Sequence, residues 1–219
     1  MASAIPFRVI PCSEWGAVPP KGAIPYTGKP DKTIFHHTAG HALNTSAGET
    51  YSEAIAYARS IQSYHMNHNG WLDSGHNFLV TRGGFILEGR HGSLAAVRAG
   101  KMIDSAHCPG QNNQPGIEHE HNGTEQMTTI QREASVWLHA QICNWTGILP
   151  SNCAQPHKKF FATACPGVLA NGLPAFRRDV ATALAPVDNS PAWWDKYGPK
   201  KKPAWFFKAL AEYSRRLQG

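Results

Sequence analysis

Three groups of residues in this chain carry the donor atoms that metal or acid–base chemistry requires. His36 and His37 follow a short apolar segment, residues 33–35. A strand end is rigid, so an imidazole placed there keeps a fixed direction, as a metal site needs; the same pair is also what polar residues closing a strand look like. His157 is followed eight residues later by Cys165, in His-Lys-Lys-Phe-Phe-Ala-Thr-Ala-Cys. One nitrogen and one sulfur on a single loop, with a distant histidine, make three protein ligands. Three ligands leave a fourth tetrahedral position open, the catalytic rather than the structural pattern for zinc. The plainer alternative is a buried free thiol before a helix-starting Pro166. No Cys-x-x-Cys pair occurs, which disfavours a structural zinc finger. The third group is Gly116-Ile117-Glu118-His119-Glu120-His121. In a strand, Glu118 and Glu120 share one face and Ile117, His119 and His121 the other. Such a strand either aims a carboxylate at a cleft or is an edge strand whose charge blocks edge pairing.

The elements that must position these groups follow from periodicity and punctuation. Residues 1–33 are rich in Pro and Gly and read as an irregular leader wrapped on the domain. Residues 33–35 form a short buried strand. Residues 49–68 read as a helix with Ala54, Ala58, Ile61 and His65 at helical spacing. Asn69-Gly70 is a turn, and residues 77–80 and 85–88 flank Arg82-Gly83-Gly84 as a hairpin. Residues 91–115 show little periodicity and read as a long loop, of the kind that is either functional or disordered. Residues 117–121 are a short strand. Thr128 or Thr129 caps a helix to about Asn144, with Ile130, Ala134, Trp137, Leu138, Ile142 and Trp145 on one face. Residues 167–185 form another helix, weakened by Pro174; residues 186–203 are a linker and 204–217 a short amphipathic helix.

Composition bounds the reading. A chain of 219 residues with 42% hydrophobic and 16% charged residues suits one α/β domain, alone or with a short appendage. Disorder and coiled coil are excluded. No apolar run approaches the roughly 18–20 residues that span a membrane. The first residues lack the charged and apolar regions of a secretory signal, so the expectation is a protein made in the cytoplasm without a signal peptide. Five cysteines are a poor disulfide framework, and twelve histidines raise the prospect of metal or acid–base chemistry. Net charge is +6, and +4 of it falls within residues 188–219. A basic tail on a near-neutral body suits a polyanion, namely nucleic acid, anionic lipid or cell-wall polymer; it is also what a solvated helix face looks like.

Four motifs in order then resemble the type 2 N-acetylmuramoyl-L-alanine amidases, which include amidase-type phage lysozymes, bacterial muropeptide amidases and animal peptidoglycan recognition proteins. They are Phe35-His36-His37-Thr38-Ala39, the run from Gly70 to Phe78 through Trp71 and His76, Arg82-Gly83-Gly84-Phe85-Ile86-Leu87-Glu88-Gly89-Arg90, and Thr163-Ala164-Cys165-Pro166-Gly167. Glu14-Trp15-Gly16-Ala17 is similar to the entry segment of the recognition proteins.

The resemblance implies an α/β fold with a central mixed β-sheet flanked by helices and a zinc site in a surface groove. It implies Zn²⁺ on His36, His157 and Cys165, the set that spacing also selects. Thr163 falls where the family contacts the reacting carbonyl oxygen, and Glu118 matches the catalytic glutamate of the muropeptide amidases. His76 stands where phage lysozymes and recognition proteins usually have tyrosine, so Glu118 and His76 compete as general base, with Glu118 favoured. His107 and Trp71 fall at substrate-binding positions, and His37 is expected to point away from the metal. The implied activity is hydrolysis of the amide between N-acetylmuramic acid and L-alanine in peptidoglycan. The expected setting is a monomeric phage endolysin that acts at the bacterial wall after release. The expected architecture is a catalytic domain over 1–187 and a basic aromatic appendage over 188–219, which contacts anionic wall polymers rather than nucleic acid. The competing reading is a non-catalytic peptidoglycan-recognition module; the retention of Cys165 speaks against it.

Overall fold

The four residues of β3 (Ile34–His37) form the hub of the sheet, because three of them are apolar or buried and both their edges are paired. The computed structural model describes residues 7–40 and 49–184. Within them, β1 (Val9–Ile10), β3, β4 (Phe78–Val80), β5 (Ile86–Glu88), β7 (Gly116–His119) and β8 (Gln155–Pro156) make a six-stranded sheet in the order β1-β5-β4-β7-β3-β8. All neighbours are parallel except β4 and β5, the expected hairpin. β2 (Tyr26–Thr27) and β6 (Met102–Ile103) pair antiparallel as a separate ribbon. The sheet is therefore mixed, as expected. No helix among the described residues is long and apolar enough to cross a membrane.

Side chains alternate across the strands, and the two faces are covered unequally. Phe35, Phe78, Val80, Ile86 and Ile117 pack in the main core with α3 (Ser93–Arg98), α4 (Thr129–Thr146) and α5 (Leu169–Leu184). Ile10, Leu79 and Leu87 face the other way, in a smaller cluster with α1 (Cys12–Trp15) and α2 (Tyr51–Ser63). The register places His36 opposite Glu118, and Glu118 opposite Leu79, across that thinner face. The polar residues of interest thus lie where the hydrophobic cover runs out.

The helices are built as their sequences suggest. Thr50 and Glu53 form a reciprocal capping box on α2, which satisfies two backbone donors that the helix cannot. Ala54, Tyr57, Ala58 and Gln62 are its buried stripe. A π-helical turn, Tyr64–His68, extends α2 and buries His65. α4 is capped by Thr128 Oγ1 and ends at Gly147, whose φ of 74° is the left-handed conformation that glycine adopts without strain.

Five expectations are corrected. His36 and His37 lie inside β3, not beyond its end, because β7 continues to pair with them after β8 has stopped. β7 is central, so the edge-strand reading of Glu118 and Glu120 falls; both are buried. Residues 91–115 contain α3 and β6, and the leader contains β1, α1 and β2. The buried face of α4 is rotated from the apolar stripe and includes Gln131, Ser135 and His139. Each of these polar groups answers a buried partner: Gln131 Nε2 donates to Val80 O and Glu120 O, Ser135 Oγ meets His119 Nε2 at 2.7 Å, and His139 Nδ1 meets Thr33 Oγ1 at 3.0 Å. The helix expected around Pro174 is present as α5; in its second turn the ring deprives only the Ala170 carbonyl of a helical donor. The expected linker and helix over 186–217 lie outside the described residues.

Candidate metal centre and groove

One donor atom each from His36, His157 and Cys165 lies within 4.8 Å of the others. His36 Nδ1 faces Cys165 Sγ at 3.9 Å, and the His36 and His157 rings are 4.3 Å apart between centroids. β3 supplies His36. β8, its neighbour, runs directly into the 3₁₀ turn His157–Lys159, so pairing of the two strands sets the separation of the two imidazoles. Cys165 is held by the His37 backbone N–H, which donates to Sγ at 3.3 Å, and by its own N–H, which donates to Thr163 Oγ1 at 3.2 Å.

The surroundings favour neutral imidazoles. Burial, then the neighbouring His76, His107 and His157, hold His36 well below the ordinary imidazole range. Burial and then His76 lower His157. Burial pushes the Cys165 thiol up to about 12, so a cation must displace its proton to gain a thiolate ligand. His157 Nε2 is buried without a hydrogen-bond partner. Two neutral imidazoles, one thiol and an unpartnered buried nitrogen within this span fit zinc, with one tetrahedral position to spare.

Behind the donor set, His36 Nε2 lies 3.0 Å from His107 Nδ1, and His107 Nε2 lies 2.9 Å from Gln114 O. His107 is 6% exposed and both its nitrogens are engaged within the protein. These contacts tie it to the His36 ring on one side and to the Gln114 backbone on the other. On the opposite face, His119 Nδ1 donates to His36 O at 2.8 Å, and its ring stacks on Phe35 at 3.8 Å. His37 points to that face and packs against Gly123, away from the donors.

Beside the donors, His76 Nδ1 lies 3.0 Å from Glu118 Oε2. Burial alone would raise the Glu118 carboxyl; His76 foremost, with His65 and His119, more than offsets this, and the carboxyl sits below its ordinary range. Glu118 borders an open groove of about 340 Å³, lined also by Thr38, Tyr57, Ile61, Tyr64 and His65. Trp71 packs against His65 with centroids 4.8 Å apart and the ring planes tilted by 31°, and covers Gly75. Thr163 is half-buried, and its O–H stays free to donate because its oxygen accepts from Cys165 N–H.

The groove wall on α2 was not singled out from the sequence. Tyr57, Ser60, Ile61 and Tyr64 look like ordinary positions of an amphipathic helix. His65 was visible on the helical stripe, but its place in the wall depends on the π turn. Its Nδ1 accepts from Gly75 N–H at 3.1 Å.

A mixed sheet with helices on both faces thus carries a histidine–histidine–cysteine donor set with a glutamate opposite one of the histidines. Residues 26–168 match the family described as N-acetylmuramoyl-L-alanine amidase, and the chain belongs to that family. Peptidoglycan-recognition protein SC2 of Drosophila melanogaster is 29% identical over 161 residues, 73% of this chain and 80% of that protein. The structure of bumblebee PGRP-SA superposes with a TM-score of 0.61 at 31% identity, over 74% of this chain and 90% of the other. That of the N-acetylmuramoyl-L-alanine amidase LysC from Clostridium intestinale URNW gives 0.55 at 22% identity, over 73% and 89%, which supports the fold.

Proposed function

We propose that this chain is a zinc-dependent amidase that hydrolyses the bond between N-acetylmuramic acid and L-alanine in peptidoglycan. The observation that carries the reading is the donor set of His36, His157 and Cys165, with Glu118 opposite His36 in the sheet and bordering the groove. Membership in the amidase family supports the bond cleaved, and the recognition-protein relatives support peptidoglycan as the polymer.

Zinc held by these three residues would supply a Lewis acid for the carbonyl and lower the pKa of water from 15.7 to about 7. The chain's own groups do the rest. The groove seats the glycan and stem peptide on either side of Glu118. Thr163 O–H donates to the oxygen of the scissile carbonyl as charge develops there. Glu118 accepts a proton from the attacking water and returns it to the departing nitrogen. His76 orients the carboxylate, and Trp71 supports the groove wall through His65.

We place this activity in a phage endolysin made in the cytoplasm, with residues 1–187 as catalytic domain. Residues 188–219 then carry +4 of the +6 net charge toward anionic wall polymers. A recognition-only role is the second reading, favoured by the names of the relatives and opposed by the complete ligand set. The test is digestion of purified peptidoglycan. New amino groups without new reducing ends are expected. New reducing ends would indicate a glycosidase, and neither product would leave recognition alone.

A further inference from the structure

We propose that His107 is a positioning residue that fixes the ring tautomer of His36, so that Nδ1 presents a bare lone pair toward Cys165. The inference rests on the reading of His36 as a metal ligand. It follows from a chain of one-way hydrogen bonds. A carbonyl only accepts, so His107 Nε2, 2.9 Å from Gln114 O, carries the proton of that ring. Neutral His107 then has a bare Nδ1, which can only accept. His36 Nε2, 3.0 Å away, must donate to it. Neutral His36 is left with a bare Nδ1, the nitrogen that faces Cys165 Sγ at 3.9 Å.

The geometry resists the alternatives. Turning the His107 ring over would place carbon atoms at both contacts. The ring lies flat on Gly116, where a Cβ would overlap it. The Gln114 carbonyl is fixed from both sides. Its backbone N–H donates to Gln111 O at 3.0 Å, and its Oε1 accepts from Asp31 N–H and Lys32 N–H, just before β3. Gly116 N–H in turn donates to Asn77 Oδ1 at 2.8 Å. His107 is buried, and its two ring nitrogens meet only the Gln114 carbonyl and the His36 ring, so nothing at either contact reverses the relay. Groups behind a ligand that fix its tautomer raise metal affinity without touching the metal.

The test has two readouts. Long-range nitrogen-15 NMR of the zinc-free protein reads the tautomer of His36 directly; the proton is expected on Nε2. Zinc affinity is then measured by chelator competition for the wild type, His107→Leu and His107→Asn, with circular dichroism to confirm folding. Asn places an acceptor oxygen near the lost Nδ1; Leu does not. His107→Leu should mix the His36 tautomers and weaken zinc binding roughly 10- to 100-fold, while His107→Asn stays close to wild type. A wild-type His36 protonated on Nδ1 would overturn the proposal, as would a folded Leu variant with wild-type affinity. Should Leu fail to fold, the wild-type spectrum and the Asn variant decide. If the wild type binds no zinc, the metal reading fails while the tautomer measurement still stands.

Discussion

His76 Nδ1 and Glu118 Oε2 lie 3.0 Å apart, one on the loop before β4 and the other in mid-β7. Both are candidates for the general base, and the pairing separates their roles. His76 holds the carboxylate ionised, and an ionised carboxylate beside a metal site can take a proton. A histidine would have to become charged beside the same cation, which costs more. Glu118→Gln keeps shape and polarity but removes the proton acceptor, so activity should fall about 10²- to 10⁴-fold with zinc retained. His76→Asn should lose less. Turnover of soluble muropeptides and metal content, measured together, check the order; the reverse order would make His76 the base.

The main features of the site were legible in the sequence for a physical reason. Metal ligands need fixed spacing on rigid elements, and His36, His157 and Cys165 keep that spacing in short local motifs. The α2 helix was legible from periodicity, and α4 from periodicity and its threonine cap. What escaped depends on contacts far apart in sequence. Strand order is not encoded in a local pattern, so Glu118 in β7 and Glu120 just after it read equally well as an edge. α3 spans only Ser93–Arg98, too short to show a period. His107 reads as a loop residue until β3 and the Gln114 carbonyl bracket it.

The polar face of α4 offers a stability test. Gln131 Nε2 donates to Val80 O at 3.1 Å and to Glu120 O at 3.0 Å, both in the interior. Gln131→Leu removes both donations; Val80 O keeps the Glu120 N–H at 3.0 Å, but Glu120 O loses its donor, and leaving a buried carbonyl so costs about 1–3 kcal/mol. The urea midpoint should drop accordingly. An unchanged midpoint would mean that the side chain fills space only.

Acid should destabilise the fold before most carboxylates titrate. Burial lowers His119 from 6.5 to about 3 and His139 well below 6.5. Below pH 6.5 the unfolded chain therefore binds more protons than the folded one, and stability falls as pH falls toward 3. Glu120 has the opposite sign: burial raises it from 4.5 to about 7, so its contribution is lost as pH rises across that window. The two imidazoles outweigh the single carboxyl between 4.5 and 6.5. The Tm of the zinc-free protein should decline over that range, and replacing His139 with Leu should flatten the decline. A Tm rising on acidification would reverse the assignment.

Residues 188–219 should govern wall affinity more than chemistry. Removing them takes away +4 of the +6 charge. Binding to whole walls should weaken and lose its salt dependence, since screening acts on what exposed charges contribute. Turnover of small soluble muropeptides should stay near wild type. Equal losses on both substrates would show that the segment supports the fold.

The most direct measurement of the central claim is zinc content and amide cleavage on the same preparations of wild type and Cys165→Ser. The wild type should hold about one zinc per chain and release amino groups from peptidoglycan. Cys165→Ser should lose both together. A folded Cys165→Ser protein with full zinc and undiminished cleavage would remove the thiol from the centre and contradict the account.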